Sequence, residues 1–328
     1  MSALDVGQLP KVELHCHLLG TITPALLSRV RHSGGPTLME TQELQSAQPV
    51  HDLASFRRWI DVLRPYQAAT VEAMMPILAA HVGELIAQRV VYTEIMISPT
   101  MFPDELTEML NAFRRWREWA FELEQGEIQI EFVMVVPRTL TADLLARDLQ
   151  AYLALGRAGL IVGVALVGVE DGQSIQRFAA AFERWREMGL GIEIHAGEHG
   201  PTDARVRAVQ DALDFGRPDR LGHALPTFEN AELSDRIQHE RVHVECCPTS
   251  NLRTGAVTDL TDHPARQARR LGLSVSLNTD DPGAFRCTIT DEYELAASTW
   301  GFDAADFDVL YKNSLAARFQ PVLRYLRG

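Results

Sequence analysis

The chain has 328 residues, of which 46% are hydrophobic, and a formal net charge of −13. The acidic balance argues against nucleic acid as a partner, since phosphate contacts require a basic face. No apolar run reaches the roughly 18 residues that span a membrane, and the first predicted strand begins too early for a signal peptide to precede it. Four cysteines in so long a chain do not make a disulfide framework. We therefore expect a soluble cytoplasmic protein with no membrane contact.

Eight short apolar segments, rich in Val and Ile, are predicted to be buried strands. In chain order they are 11–17, 90–97, 128–136, 161–168, 190–196, 220–225, 242–247 and 273–279. Helical periodicity separates most of them, as in 105–124 and 174–188. Hydrophobic strands that alternate with helices indicate a parallel sheet, and eight such units predict an α/β fold, the (β/α)8 TIM barrel. With no internal repeat or linker, residues 1–328 are predicted to form one hydrolase domain.

The connection between the first two strands is unusually long, about 70 residues where a short loop and one helix suffice. Within it, apolar residues recur at helical spacing before a proline: Leu53, Phe56, Trp59, Ile60 and Leu63, followed by Pro65. One interpretation is an amphipathic helix packed on the barrel. The other is a lid that presents an apolar wall, including Phe56, to a flat substrate. Beyond residue 288 the tail is predicted to be helical and to close the outer ring through Trp300, Tyr311 and Phe319.

Metal-binding residue types follow four of the predicted strands. His15 and His17 are two residues apart on the first strand and therefore point to the same face. Three more clusters end later strands: His195-Ala-Gly-Glu198, Gly222-His223 and Asp280-Asp281. The active site of a TIM barrel forms at the carboxyl ends of its strands, so these side chains are expected to converge. The pattern indicates a metal-dependent hydrolase.

Neutral imidazole and carboxylate ligands suit zinc, and His15, His17, His195 and Asp280 supply four of them. Zinc lowers the pKa of a bound water from 15.7 toward ~7 and so makes a nucleophile at neutral pH. The remaining residues are candidates for the chemistry. His223 is placed to orient the water and take its proton, Glu198 to act as a general acid with a raised pKa, and Asp281 to face the substrate.

Each of these residues also has a structural interpretation when it is taken alone. A buried histidine is usually a satisfied core residue, and Asp280 and Asp281 before a proline could simply begin a turn. The joint occurrence at four strand ends favours the metal site. Cys246 and Cys247 are expected to pack at a strand end, and no partner cluster accompanies the other histidines. These are His32, His51, His81, His239, His243 and His263, whereas His199 could line the mouth of the site.

The motifs resemble, nearly over the whole length and in the same order, those of the adenosine deaminase family within the amidohydrolase superfamily. They are Pro10-Lys-Val-Glu-Leu-His-Cys-His17, Tyr92-Thr-Glu, Ser98-Pro99, His195-Ala-Gly-Glu198, Arg220-Leu-Gly-His223, Cys247-Pro-Thr-Ser-Asn251 and Ser276-Leu-Asn-Thr-Asp-Asp-Pro282. The resemblance implies one zinc ion per chain, held by the four residues named above. It also implies hydrolytic loss of ammonia from C6 of a 6-aminopurine, either adenosine or a related nucleoside or base.

The resemblance assigns roles to four further residues. Glu198 would protonate N1 of the purine, His223 would assist the attacking water, and Asp281 would hydrogen-bond the base. Gly168 matches a position whose backbone N–H meets the purine edge. Hydroxide attacks an electron-rich ring only when the ring is polarised, so the proton on N1 is essential to this chemistry.

Three positions depart from the family pattern, and all are expected to lie near the substrate. Family members that act on adenosine have an acidic residue, which contacts the sugar hydroxyl, where this chain has Leu19. They have arginine where it has Met96 and an acidic residue where it has Ala165. Because an apolar side chain cannot bind a hydroxyl, we expect the group on the purine, or the heterocycle itself, to differ from plain adenosine.

Two other functions remain open on the sequence. A different zinc amidohydrolase, acting on an amide, lactone or ester, would need no acid aimed at a ring nitrogen, so Glu198 and Asp281 argue against it. A binding or signalling protein would be expected to lose metal ligands, and the sequence retains all four. The oligomeric state is open as well, and iron or manganese could compete for the same ligands.

Overall fold

The computed structural model describes residues 4–32, 50–67 and 71–320. Its centre is one sheet of eight parallel strands, each hydrogen-bonded to the next in chain order. The strands are β1 (Lys11–His17), β2 (Val90–Ile97), β3 (Gln129–Pro137), β4 (Gly163–Val167), β5 (Gly191–Ala196), β6 (Arg220–His223), β7 (His243–Cys246) and β8 (Val275–Leu277). A parallel bridge between Cys16 and Asp280 joins the end of β8 to β1. The predicted TIM barrel is confirmed, with strand ends that differ by a few residues.

Helices surround the barrel. They are α1 (Pro24–His32), α2 (Leu53–Gln67), α3 (Val71–Ala87), α4 (Leu106–Glu124), α5 (Ala142–Arg157), α6 (Ala179–Glu187), α7 (Thr202–Asp211), α8 (Ala231–Glu240), α9 (Pro248–Thr254), α10 (Ala268–Leu271), α11 (Pro282–Phe285), α12 (Ile289–Trp300) and α13 (Ala304–Ala316). The predicted helix over 174–188 begins as a 3₁₀ turn, Ile175–Phe178, before α6. Among the described residues, no helix is long and apolar enough to cross a bilayer.

Alternation along the strands separates two apolar regions. On β2 and β3, Ile95 and Phe132 face outward into the main core beneath the helices. Their neighbours Met96 and Val133 face inward, where they pack with Ala165 of β4. The inner cluster makes one side of the barrel interior apolar.

The long connection after β1 contains α1, α2 and α3, while residues 33–49 and 68–70 lie outside the described residues. Trp59 and Leu63 of α2 are fully buried, which confirms the prediction of an amphipathic helix packed on the barrel. Phe56 is half-buried, and its ring centroid lies 5.2 Å from that of Phe285 in α11. The helix therefore lies beside the loop that follows β8, at the carboxyl end of the barrel.

The tail is helical, as predicted, through α12 and α13. Its last described aromatic residue, Phe319, does not join the outer ring of helices as expected. Phe319 enters the amino end of the barrel, where the guanidinium of Arg220 lies 3.5 Å from its ring centroid. Gly163 and Gly191 begin β4 and β5, and a Cβ on either would overlap with this ring. The close approach requires glycine at both positions.

Candidate active site

Three histidines and one aspartate meet at the carboxyl end of the barrel. His15 and His17 lie on β1, His195 is near the end of β5, and Asp280 follows β8. Their ligand atoms all lie within 4.8 Å of one another. His17 Nε2 is 3.3 Å from His195 Nε2, and Asp280 Oδ1 is 3.5 Å from His15 Nε2. Zinc–ligand bonds of ~2.0–2.2 Å give similar separations between tetrahedral ligands, so the four predicted ligands could share one ion.

Buried carboxylates behind the imidazoles orient their metal-binding nitrogens. His15 Nδ1 donates to Glu245 at 2.7 Å, and His195 Nδ1 donates to Glu193 Oε2 at 3.1 Å. This arrangement holds the proton on Nδ1 and leaves Nε2 for a metal. Among the described residues, His15 Nε2 is buried without a hydrogen-bond partner. The donor set therefore fits a divalent transition metal such as zinc.

Burial also adjusts the protonation of the ligands. It lowers the pKa of His17 to about 4 and that of His195 well below its usual value, which keeps both rings neutral. Burial lowers the pKa of His15 as well, but the nearby carboxylates of Asp280 and Glu245 outweigh that effect and the pKa is raised. A metal bound at His15 must therefore displace a proton, so metal binding at this site is coupled to proton release.

Two residues at strand ends have left-handed backbone conformations without being glycine. Both Asp280 and His223 have φ of 63°. Such conformations cost about 1–3 kcal/mol each and persist where the surroundings fix them. Asp280 is fixed by backbone hydrogen bonds to β1, with its N–H donating to His15 O at 2.9 Å, and by Ser250, whose hydroxyl donates to Oδ2 at 2.6 Å. The strained backbone therefore lies at two positions of the site, one carrying the predicted ligand Asp280 and the other carrying His223.

Glu198 follows β5 and faces two imidazoles. Its carboxylate is 3.1 Å from His199 Nε2 and 3.6 Å from His223 Nε2. Thr254 donates to it at 3.4 Å. Burial raises the pKa of Glu198, but His223 and His199 outweigh that effect and the pKa is lowered. The prediction of a raised pKa is therefore wrong for this arrangement, because the sequence did not place two imidazoles against the carboxylate.

Asp281 lies deep beside the ligands, with 4% of its surface exposed. Burial and the neighbouring charge of Asp280 raise its pKa well above the usual value. A Cβ on Gly20 would overlap with the Asp281 carboxylate, and a Cβ on Gly283 would lie 2.5 Å from Ile22 O. The turn after β1 therefore packs against the loop after β8 only because both positions are glycine. This contact places Gly20, the residue after Leu19, directly against Asp281.

The predicted substrate-binding residues lie on β2, on α2 and in the connections after β1 and β4. Leu19 and Phe56 are half-buried on the connection after β1, and Gly168 follows β4 with φ of 104°, a conformation that favours glycine. Met96 is paired with His17 in the register of β1 and β2 and is 1% exposed. Met96 and Ala165 belong to one buried cluster with Val133, so two of the three departures from the family pattern lie in the same region of the barrel interior.

Several residues that support the site were missed from the sequence. Glu170 accepts hydrogen bonds from the backbone N–H groups of Gly197 and Glu198, at 2.7 and 2.8 Å, and so fixes the loop that carries the acid. Glu193 precedes His195 by two residues, and a carboxylate in an apolar strand was the signal that could have identified it. Glu245 on β7 offered the same signal. Arg220, Ser250 and Asn251 lie within motifs of the family resemblance but were given no role, and Thr254 and His263 carried no signal of their own.

Comparison with known proteins agrees with the geometry. The family model described as adenosine deaminase matches residues 10–324. An adenine deaminase from Rhizobium meliloti is 33% identical over 319 residues, and one from Sinorhizobium fredii is 32% identical over 317; each alignment covers 95% of both sequences. The crystal structure of an adenine deaminase from Arthrobacter aurescens superimposes with a TM-score of 0.80 at 27% identity, covering 95% of this chain and 94% of that one.

Proposed function

We propose that this chain, which belongs to the adenosine deaminase family, is a zinc-dependent hydrolase that removes the 6-amino group of adenine as the free base. Membership makes it a deaminase of aminopurines, and the retained ligands and acid residues agree with that activity. The free base and the zinc ion are the specific parts of the proposal.

Leu19 is the observation that carries the choice of substrate. It begins a 3₁₀ turn, Leu19–Thr21, shortly after the β1 ligands and is half-buried, and the next residue, Gly20, packs directly against Asp281. An apolar side chain there offers no acceptor for a sugar hydroxyl, and sites built for such hydrogen bonds discriminate by orders of magnitude. The names of the relatives from Rhizobium meliloti and Sinorhizobium fredii support the same substrate.

The opposite side of the site suits a flat apolar ring. Met96 and Ala165 pack with Val133 inside the barrel, and Phe56 reaches the same end of the barrel from α2. A purine lacking a sugar presents mainly aromatic surface, which such side chains bind through burial of apolar area. We propose that Gly168 donates its backbone N–H to the edge of this ring.

The polar side chains then divide the chemistry between them. Zinc, when held by His15, His17, His195 and Asp280, supplies Lewis-acid activation of the attacking water at neutral pH. His223 orients the water toward C6, and Glu198 delivers a proton to N1, which makes C6 electrophilic. Asp281, whose raised pKa favours the protonated carboxyl, donates a hydrogen bond to the base. Water adds at C6, ammonia leaves, and the product is a 6-oxopurine.

The test is ammonia release by the zinc-loaded protein with adenine, adenosine and AMP at equal concentrations. We expect kcat/KM for adenine to exceed that for adenosine by at least about 100-fold, the scale of discrimination by a lost hydrogen bond. A preference for adenosine, or no release from any aminopurine, would contradict the proposal. Metal analysis of the same sample should give one zinc per chain.

Leu19→Asp tests whether residue 19 determines the choice between adenine and adenosine. The new carboxylate should raise kcat/KM for adenosine relative to adenine, because it supplies an acceptor for a sugar hydroxyl. Leu19→Met offers no such acceptor and is the matched control. An unchanged ratio of the two substrates in Leu19→Asp would remove residue 19 as the determinant.

A further inference from the structure

A line of three buried side chains runs away from the active site behind His223. Asn251 Nδ2 lies 3.1 Å from His223 Nδ1, and Asn251 Oδ1 lies 3.2 Å from His263 Nε2. The other ring nitrogen of His263, Nδ1, accepts the backbone N–H of Ala265 at 3.1 Å. His223 is 1% exposed, and Asn251 and His263 are completely buried. With no route for water to substitute, each donor and acceptor in this line must match its neighbour.

The backbone of Ala265 fixes the direction of the line. A backbone N–H can only donate, so His263 Nδ1 must carry a lone pair. The ring is then neutral with its proton on Nε2, where it can only donate. Burial lowers the pKa of His263 to about 3, in agreement with a neutral ring.

The proton on His263 in turn fixes the amide of Asn251. Its carbonyl oxygen must face His263, because the alternative orientation would set an N–H group against another N–H group. The amide nitrogen therefore faces His223 and donates to Nδ1. Asn251 is held in α9, where its backbone N–H donates to Cys247 O at 3.0 Å, so the side chain cannot move away from this arrangement.

We propose that Asn251 and His263 are positioning residues that hold His223 as the tautomer protonated on Nε2. This inference rests on the proposed function for its catalytic meaning. His223 Nε2 is 3.6 Å from Glu198 Oε2, too far for a direct hydrogen bond, so an attacking oxygen placed to one side of this pair can contact both groups. Held in this form, His223 donates to the attacking oxygen and cannot accept its proton. The base is then Glu198, whose carboxylate is the nearest acceptor beside His223 Nε2.

The proton transfers balance with Glu198 as both base and acid. As the water oxygen bonds to C6, an O–H bond breaks and its proton moves to the Glu198 carboxylate. Glu198 passes this proton to N1 of the purine. The remaining hydroxyl proton then moves to the amino group, the C6–N6 bond breaks, ammonia leaves, and C6 becomes a carbonyl. His223 keeps its Nε2 proton throughout.

The first test is the tautomer of His223, read by two-bond ¹⁵N–¹H correlation spectra of the zinc-loaded protein, with the signal assigned by its absence in His223→Asn. We expect the proton on Nε2 in both His223 and His263. A proton on Nδ1 of His223 overturns the inference. The spectrum needs no substrate, so a failure of the proposed function leaves this readout intact and the two are distinguished.

The second test uses Asn251→Asp to reverse the direction of the hydrogen bond between residue 251 and His223. A carboxylate accepts from both histidines, so His223 must donate from Nδ1, and a neutral ring that does so carries no proton on Nε2. We expect the spectrum to change to the Nδ1 form and kcat to fall on the order of 10²–10⁴-fold, the scale of a misplaced catalytic tautomer. KM and zinc content should stay near wild type. Loss of kcat with the Nε2 proton still in place contradicts the inference.

Two further variants separate positioning from folding. Asn230→Asp makes the same change at the N-cap of α8, where Asp also accepts from Leu233 N–H, and should alter neither tautomer nor rate. His263→Gln keeps an N–H donor toward Asn251 and should retain the Nε2 form of His223 and most of kcat. If His223 takes the Nδ1 form in the His263→Gln enzyme, the inference is overturned, even if Asn251→Asp does not fold.

Discussion

The barrel interior has two unlike sides at its carboxyl end. One, here called the ligand wall, comprises His15, His17, His195, His223 and Asp280. The other, the apolar wall, comprises Met96, Val133 and Ala165, with Val135 and Val167 packed against them. The strands of both walls are equally buried and equally regular, so burial alone does not identify a site.

What differs between the walls is the support that each side chain needs. Polar groups on the ligand wall have hydrogen-bonded partners behind them, such as Glu245 behind His15 and Ser250 behind Asp280. The apolar wall needs only matching volume. We propose that the chemistry depends on the ligand wall, whereas the choice of substrate depends on the apolar wall and on Leu19. Four changes test this division.

Glu198→Gln should have the largest effect, because it removes the proton carrier beside the ligand wall. We expect kcat to fall by roughly 10²–10⁴-fold with zinc content unchanged. Steady-state ammonia release and metal analysis measure the two quantities. Glu187→Gln, at a 68% exposed side chain, is the control. Full activity in Glu198→Gln would remove this residue from the mechanism.

Met96→Arg tests the apolar wall through folding stability. An unpaired guanidinium at a 1% exposed position should lower the free energy of unfolding by about 3 kcal/mol or more. Adding Ala165→Asp supplies a carboxylate at a position that contacts Met96 and should recover at least half of the loss. Urea unfolding measures both, with Met96→Leu as a volume-matched control. Equal loss in the single and double variants would mean that the two positions do not act as a pair.

Glu245→Gln tests the support behind the ligand wall. Gln keeps the shape but not the charge that holds the Nδ1 proton of His15, so zinc affinity should fall by about 10–100-fold. Competition with a chromogenic chelator gives the affinity directly. Glu183→Gln, in an exposed pair with Arg217, should leave it unchanged. An unaltered affinity in Glu245→Gln would show that the carboxylate does not orient the ligand.

The smallest effect concerns Glu292 of α12, which accepts the backbone N–H of Thr249 in α9 at 3.3 Å. Burial raises the pKa of Glu292 from 4.5 to about 7. A raised carboxyl pKa means that the folded state holds the proton more tightly, so its stabilising effect is complete below pH 4.5 and is lost as pH rises through 7.

Glu292→Gln should therefore remove about 2 kcal/mol from the decrease in unfolding free energy between pH 5 and pH 7. Urea unfolding at both pH values, in excess chelator so that metal binding does not contribute, gives the difference from wild type. The same pH dependence in both proteins would mean that Glu292 does not titrate in this range.

The sequence alone determined the barrel and its strands, and it predicted that the four proposed ligands would converge. Short apolar runs in the sequence indicate which segments are buried strands. Because the carboxyl ends of the strands in a parallel barrel lie at the same end, the proximity of His15 and Asp280 could be predicted from the sequence. Inserted helices were also readable, since Trp59 and Leu63 repeat at helical spacing. Strand burial and helical periodicity are properties of short segments, so the residues of each segment are enough to predict them.

The tertiary structure alone decided how the site is tuned. Glu245 meets His15 across 230 residues of sequence, and no local pattern connects them. The lowered pKa of Glu198 depends on two imidazoles placed around it in space, and the tautomer of His223 depends on a backbone N–H at Ala265. Protonation and hydrogen-bond direction are set by distances between groups that converge only in the folded chain, whereas periodicity describes neighbours along it.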